Sequence, residues 1–90
     1  MKLASSQKYS VAAILTSRGL VRLRIGDYDK SIVDYSEAIK LNFKNAMALY
    51  GRGIDKMRLG HAEEGQADLT EALVQDPKIA DAFALRGITP

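Results

Sequence analysis

The chain has 90 residues, 47% of them hydrophobic, with 13 basic and 11 acidic side chains and a formal net charge of +2, the profile of one ordinary globular domain at most. It has no cysteine, which excludes a disulfide frame and a thiolate metal site. No apolar run approaches the roughly 18 residues a membrane span requires, and Val11 to Leu15 is too short for the core of a signal peptide, so a cytoplasmic location is expected.

The charge is unevenly spread. Residues 1–26 carry Lys2, Lys8, Arg18, Arg22 and Arg24 without an acid, and the remainder is net acidic. Nucleic-acid recognition calls for a larger basic stripe flanked by aromatics, so neither a nucleic-acid nor a membrane partner is expected.

Period and punctuation predict five helices. The first runs from about Gln7 to Ile25, with Ser5 or Ser6 as N-cap and Gly26-Asp27 as its stop. The second covers Tyr28 to Leu41, where Ile32, Tyr35, Ala38 and Ile39 make one apolar stripe. Asn42 and Asn45 flank the next break. The third helix spans about Asn45 to Leu59 and stops at Gly60. The fourth covers Ala62 to Gln75, with Ala67, Leu69, Ala72 and Leu73 inward, and ends at Asp76-Pro77, because the residue before a proline disfavours helix. Pro77 is expected to open a fifth helix, from about Lys78 to Gly87. Short connections make neighbouring helices antiparallel.

Arg18-Gly19, Arg52-Gly53 and Arg86-Gly87 repeat one dipeptide at intervals of 34 residues. When residues 12–56 are laid on 46–90, 15 of the 45 pairs are identical, among them Ala12/Ala46, Leu15/Leu49, Arg24/Arg58, Gly26/Gly60, Asp34/Asp68, Glu37/Glu71 and Ala38/Ala72. A strict period of this length denotes a stacked repeat, each unit leaning on its neighbour to bury an apolar face.

On these residues the chain resembles the tetratricopeptide repeat, a helix–turn–helix unit of 34 residues. The resemblance implies an all-α, right-handed solenoid of antiparallel helix pairs. It would hold about two and a half units in a single domain over 1–90: units 12–45 and 46–79, a truncated third 80–90, and an N-terminal extension 1–11. Gly19 and Gly53 would sit where the two helices of a unit approach closely, Ala38 and Ala72 where a second helix meets the next unit, and Pro77 at a unit boundary. Arg22 and Lys56 stand where the family often has tyrosine, Phe43 where the boundary proline would be, and Ser31 and Gly65 where alanine is common. Gly65 is expected to weaken its helix by roughly 1 kcal/mol against alanine. Arg18 and Asp34, and again Arg52 and Asp68, are 16 apart, which suggests that each arginine reaches its aspartate across a helix pair.

The resemblance also implies a concave groove lined by the first helices of successive units. It would hold Ala13, Thr16, Leu20, Leu23 and Arg24, then Met47, Tyr50, Ile54, Met57 and Arg58, then Asp81, Ala84 and Ile88. Methionine adapts to varied partners, and tyrosine and arginine anchor binding energy. The expected function is therefore a non-catalytic protein–protein interaction module or scaffold, docking a peptide or helix in that groove. The same apolar residues at helical spacing also fit simple core packing. Some members of the family grip a C-terminal carboxylate with a charged clamp. The corresponding Thr16, Leu20, Gly51, Asp81 and Leu85 cannot supply one, so that mode is not expected. The alternatives are a regulatory adaptor segment of a larger enzyme or sensor, and a scaffold that polymerises through its ends.

No enzyme is expected. His61 is the sole histidine and follows a turn glycine, and Ser5, Ser6, Ser10 and Ser17 have no nearby base. No cofactor and no metal is expected. Two and a fraction units fall short of the three or so that stand alone, and Ile79, Ala82, Phe83 and Leu85 are expected to lack cover. A chain cut from a longer array, a homodimer through the open C-terminal end, and a long first helix folding back as a partial cap would each answer this.

Overall fold

The sequence punctuation is visible in the computed structural model, which describes residues 2–90. Five helices follow in order: α1 (Ser5–Arg24), α2 (Tyr28–Leu41), α3 (Ala46–Arg58), α4 (Ala62–Gln75) and α5 (Ile79–Ala84). No strand occurs among the described residues.

α1 starts earlier than expected. Its N-cap is Ala4, not Ser5 or Ser6. The Gln7 side chain reaches back and accepts from the Ala4 N–H at 2.8 Å, which draws both serines into the first turn. α1 and α3 end in the same way. Gly26 and Gly60 adopt φ of 83° and 85°. The following N–H groups, of Asp27 and His61, each donate to a carbonyl five residues back, Arg22 and Lys56, at 2.8 Å. This satisfies last-turn carbonyls in a conformation only glycine adopts cheaply. α2 and α4 also share a stop. Asn42 and Asp76 use their side-chain oxygens to accept from the N–H two residues on, at 3.2 and 3.0 Å.

α5 is shorter than expected. It ends at Ala84, and Gly87 takes φ 74° in the turn behind it. Gly87 therefore serves as a turn residue, unlike Gly19 and Gly53, which lie in helices at close contacts. Its turn sends Ile88 back against Phe83, whose carbonyl accepts from the Ile88 N–H at 3.0 Å. Pro77 precedes the Lys78 N-cap and so does not open the helix.

α1 packs on α2 and α3 on α4; α2 then packs on α3, with α1 touching α3, and α5 lies against α3 and α4. One buried cluster joins Ala12, Tyr35, Ala38 and Ala48. A larger one gathers Leu23, Leu49, Tyr50, Ile54, Leu69, Ala72, Ile79, Phe83 and Ile88. The expected open end is largely closed. Ile79 and Phe83 are buried and Ala82 is half-buried, whereas Leu85 is 89% exposed. Ala67 is exposed and Leu73 half-exposed, so on α4 only Leu69 and Ala72 of the expected stripe face inward.

The glycine positions are tightly constrained. A Cβ on Gly19 would come within 2.9 Å of the Tyr35 ring, and one on Gly51 would meet the same ring from α3. Tyr35 is thus held between two helices that bare their backbones to it. A Cβ on Gly65 would lie 2.8 Å from the Gly53 carbonyl oxygen, and one on Gly53 2.9 Å from that of Gly65. Gly65 is therefore a packing requirement as well as a weak helix former. At the equivalent place between α1 and α2, Ser31 uses its hydroxyl to donate to the Gly19 carbonyl at 2.8 Å.

Candidate functional site

Two of the aspartates hold the helix pairs together. Arg18 donates twice to Asp34, at 2.9 and 2.7 Å, and Arg22 adds a third bond at 2.9 Å. Arg52 donates twice to Asp68, at 2.8 and 2.9 Å, and Lys56 lies 2.9 Å from the same carboxylate. The spacing of 16 was a sound guide. The departures at Arg22 and Lys56 have a role as well: each supplies a second cation to a carboxylate. Burial alone would raise the Asp68 carboxyl, but the hydrogen bonds and charges of Arg52 and Lys56 outweigh it and hold Asp68 below the usual range. The bonds from Arg18 to Asp34, and then the opposite charge, stabilise the Arg18 cation further.

A different polar pair lies at the α2–α3 contact. Tyr35 and Asp55 are both fully buried, and neither the Tyr35 hydroxyl nor either Asp55 oxygen has a hydrogen-bond partner. Ser31 is adjacent, but its hydroxyl proton is directed to Gly19. Burial pushes Asp55 up to about 7, with Ser31 and Arg58 offsetting part of the effect. Burial first, then the Asp55 charge, pushes the Tyr35 hydroxyl up.

The face formed by α1, the α2–α3 turn and α3 carries a hollow of about 470 Å³. Tyr9, Ala12, Ala13, Thr16, Ser17 and Leu20 come from α1, Asn42 and Asn45 from the turn, and Met47 from α3, with Arg86 closing one side. Its floor is fixed by a hydrogen-bond chain. Thr16 Oγ1 donates to the Ala12 carbonyl at 2.7 Å and accepts from Asn45 Nδ2 at 2.9 Å, while Asn45 Oδ1 caps α3 by accepting from the Ala48 N–H at 3.0 Å.

Beyond Arg86 lies a smaller hollow of about 200 Å³, lined by Leu23, Arg24, Tyr28, Arg58, Arg86, Gly87 and Ile88. Arg58 donates to Tyr28 Oη at 3.4 Å and to the Thr89 carbonyl at 3.0 Å. Arg86 donates to the Ala82 carbonyl at 2.7 Å. Arg24 has no hydrogen-bond or ion-pair partner among the described residues.

The expected groove residues therefore separate. Thr16, Leu20 and Met47 line the larger hollow and Leu23, Arg24 and Arg58 the smaller. Tyr50 and Ile54 do not offer a surface. They are 5% and 0% exposed, and the Tyr50 ring lies 4.9 Å from that of Phe83. The reason is α5, which packs onto α3 where those side chains were expected to meet a partner. Met57 is half-buried against the core, and its side chain fills the space beside Gly65. Asp81 is exposed and Ala84 too, and neither lines either of these two hollows. Sequence reasoning missed Tyr9, Asn42, Asn45 and Arg86. Arg86 had a signal, since it is the third arginine of the 34-residue interval.

His61 is exposed in the turn before α4, and Glu63 and Glu64 stand in the first turn of that helix. Among the described residues no group of three or more His, Cys, Asp or Glu gathers at metal-binding distance, and no helix is long and apolar enough to cross a membrane. Compared with known proteins, the chain matches no family model, no curated protein and no solved structure.

Proposed function

We propose that the chain is a tetratricopeptide-like solenoid of about two and a half units that works as a non-catalytic interaction module, docking a peptide from a protein partner. The observation that carries this reading is the hollow of about 470 Å³ across α1 and α3. It pairs apolar ground at Ala13, Leu20 and Met47 with amides at Asn42 and Asn45, the mixture an extended segment needs for its side chains and its backbone. Repeated detail supports the architecture. Residues 34 apart play matching parts at Arg18/Arg52, Asp34/Asp68, Gly19/Gly53, Gly26/Gly60 and Asn42/Asp76.

The chain itself illustrates the mode. After Gly87 the backbone turns back, Ile88 enters the core cluster beside Leu23 and Ile54, and the Thr89 carbonyl accepts from Arg58. An apolar side chain is buried and a main-chain carbonyl is gripped on this same face.

Selection from a random peptide library on the isolated protein tests the reading, followed by binding to Ala13→Arg and Met47→Glu variants. Selected peptides should lose affinity for both variants. Peptides that bind wild type and variants alike, or no peptides at all, would count against it.

A further inference from the structure

The six arginines of this molecule fall into two sets, the first joined by Lys56. Arg18, Arg22, Arg52 and Lys56 converge on Asp34 and Asp68. Arg24, Arg58 and Arg86 instead converge on the smaller hollow, and none forms an ion pair. They arrive from three elements: the end of α1, the end of α3 and the turn after α5. Their hydrogen bonds go only to neutral oxygens, at Tyr28, Thr89 and Ala82. Asp55 is the acid whose charge interacts with Arg58, and it is fully buried and makes no hydrogen bond to it. Three arginines around one hollow without an ion-pair partner give it a positive potential, and a carboxylate placed there accepts charge-assisted, bidentate hydrogen bonds.

Resting on the docking reading above, we propose that the partner is an acidic peptide segment: the Arg24–Arg58–Arg86 hollow takes an Asp or Glu side chain, and the adjoining hollow takes an apolar side chain against Leu20 and Met47. Arg86 borders both hollows and so links the two subsites. A peptide fits better than a nucleic acid. The ground next to the arginines is apolar and capped by amides, the net charge is only +2, and no row of aromatics lies beside the arginines for bases to stack on.

The test is fluorescence anisotropy on the full chain with a labelled peptide of repeating Leu-Glu-Glu, beside versions carrying Gln or Lys in place of Glu. The Glu peptide should bind about tenfold or more tightly than the Gln peptide, the Lys peptide should not bind, and affinity should fall as salt rises. Arg24→Gln and Arg86→Gln should each weaken the Glu peptide about fivefold or more while leaving the Gln peptide unchanged. Arg24 has no intramolecular partner, so its variant should keep the wild-type melting temperature. Lys40→Gln, a change of the same charge on exposed α2 surface, should leave binding unchanged. Equal binding of the Glu and Gln peptides overturns the proposal and leaves the docking reading standing. Failure of every peptide overturns the proposal too, with the library selection deciding the docking reading separately. A single-stranded oligothymidylate or a phosphatidylserine vesicle bound more tightly than the Glu peptide also overturns it.

Discussion

Gly53 and Gly65 face each other across the α3–α4 contact with no room for a methyl group on either side: the obstructing atoms are the carbonyl oxygens of the opposite backbone, 2.8 and 2.9 Å from the position a Cβ would take. Backbone cannot swing aside as a side chain can. Gly65→Ala would gain roughly 1 kcal/mol of helix propensity, and overpacking of about 1–3 kcal/mol opposes it. Urea denaturation should find both Gly65→Ala and Gly53→Ala destabilised, since Leu69 also crowds a Cβ at Gly53 and Met57 one at Gly65. An alanine at Gly65 that stabilises the protein would mean that the helices sit further apart.

Arg52 and Asp68 should be energetically coupled. Both are largely buried and bonded at two points. A double-mutant cycle with Arg52→Gln and Asp68→Asn should give roughly 1–3 kcal/mol of coupling. The Arg18–Asp34 cycle should give less, because the Arg18 side chain is 56% exposed and water screens it.

Asp55 and Asp68 should give stability opposite slopes against pH. The folded state holds Asp68 below its unfolded value, so its contribution is present above the ordinary carboxylate range and is lost as pH falls below that range. Asp55 is raised to about 7, so the folded state binds the extra proton between its unfolded value of about 4 and that point. Stability therefore declines as pH rises across that window and levels off above it. Melting temperature should peak at about pH 4, where the rise from Asp68 gives way to the decline from Asp55. Asp55→Asn should flatten the decline and melt higher than wild type at pH 8.

The short α5 should contribute more than its length suggests. Phe83 is fully buried against Tyr50, and Phe83→Ala should cost about 3–5 kcal/mol by chemical denaturation. A loss under 1 kcal/mol would mean that α5 is only loosely attached and that the Tyr50–Ile54 face is open after all.

The bounds of α2 and α4 were legible because glycine, asparagine and the Asp76-Pro77 pair are strong local stops. The Arg–Asp pairs were legible because their spacing recurs. What escaped the sequence was long-range. Nothing local says that α5 ends at Ala84 and that Gly87 turns Ile88 into the core, and that turn is what closes the expected open end. Nothing local distinguishes a tyrosine that meets a partner from Tyr50, which meets Phe83. The buried Asp55 was likewise hidden, since Ser31 and Tyr35, which lie beside it, come from another helix.

A peptide docked on the α1–α3 face would perturb the backbone amides that line it. The most direct measurement is a backbone amide NMR titration with the tightest peptide from the library selection. Shift changes should concentrate at Ala13, Ser17, Leu20, Asn45 and Met47 and leave the exposed positions of α4, such as Glu64 and Glu71, in place. Changes centred on α2 and α4, with the α1–α3 hollow silent, would contradict the account.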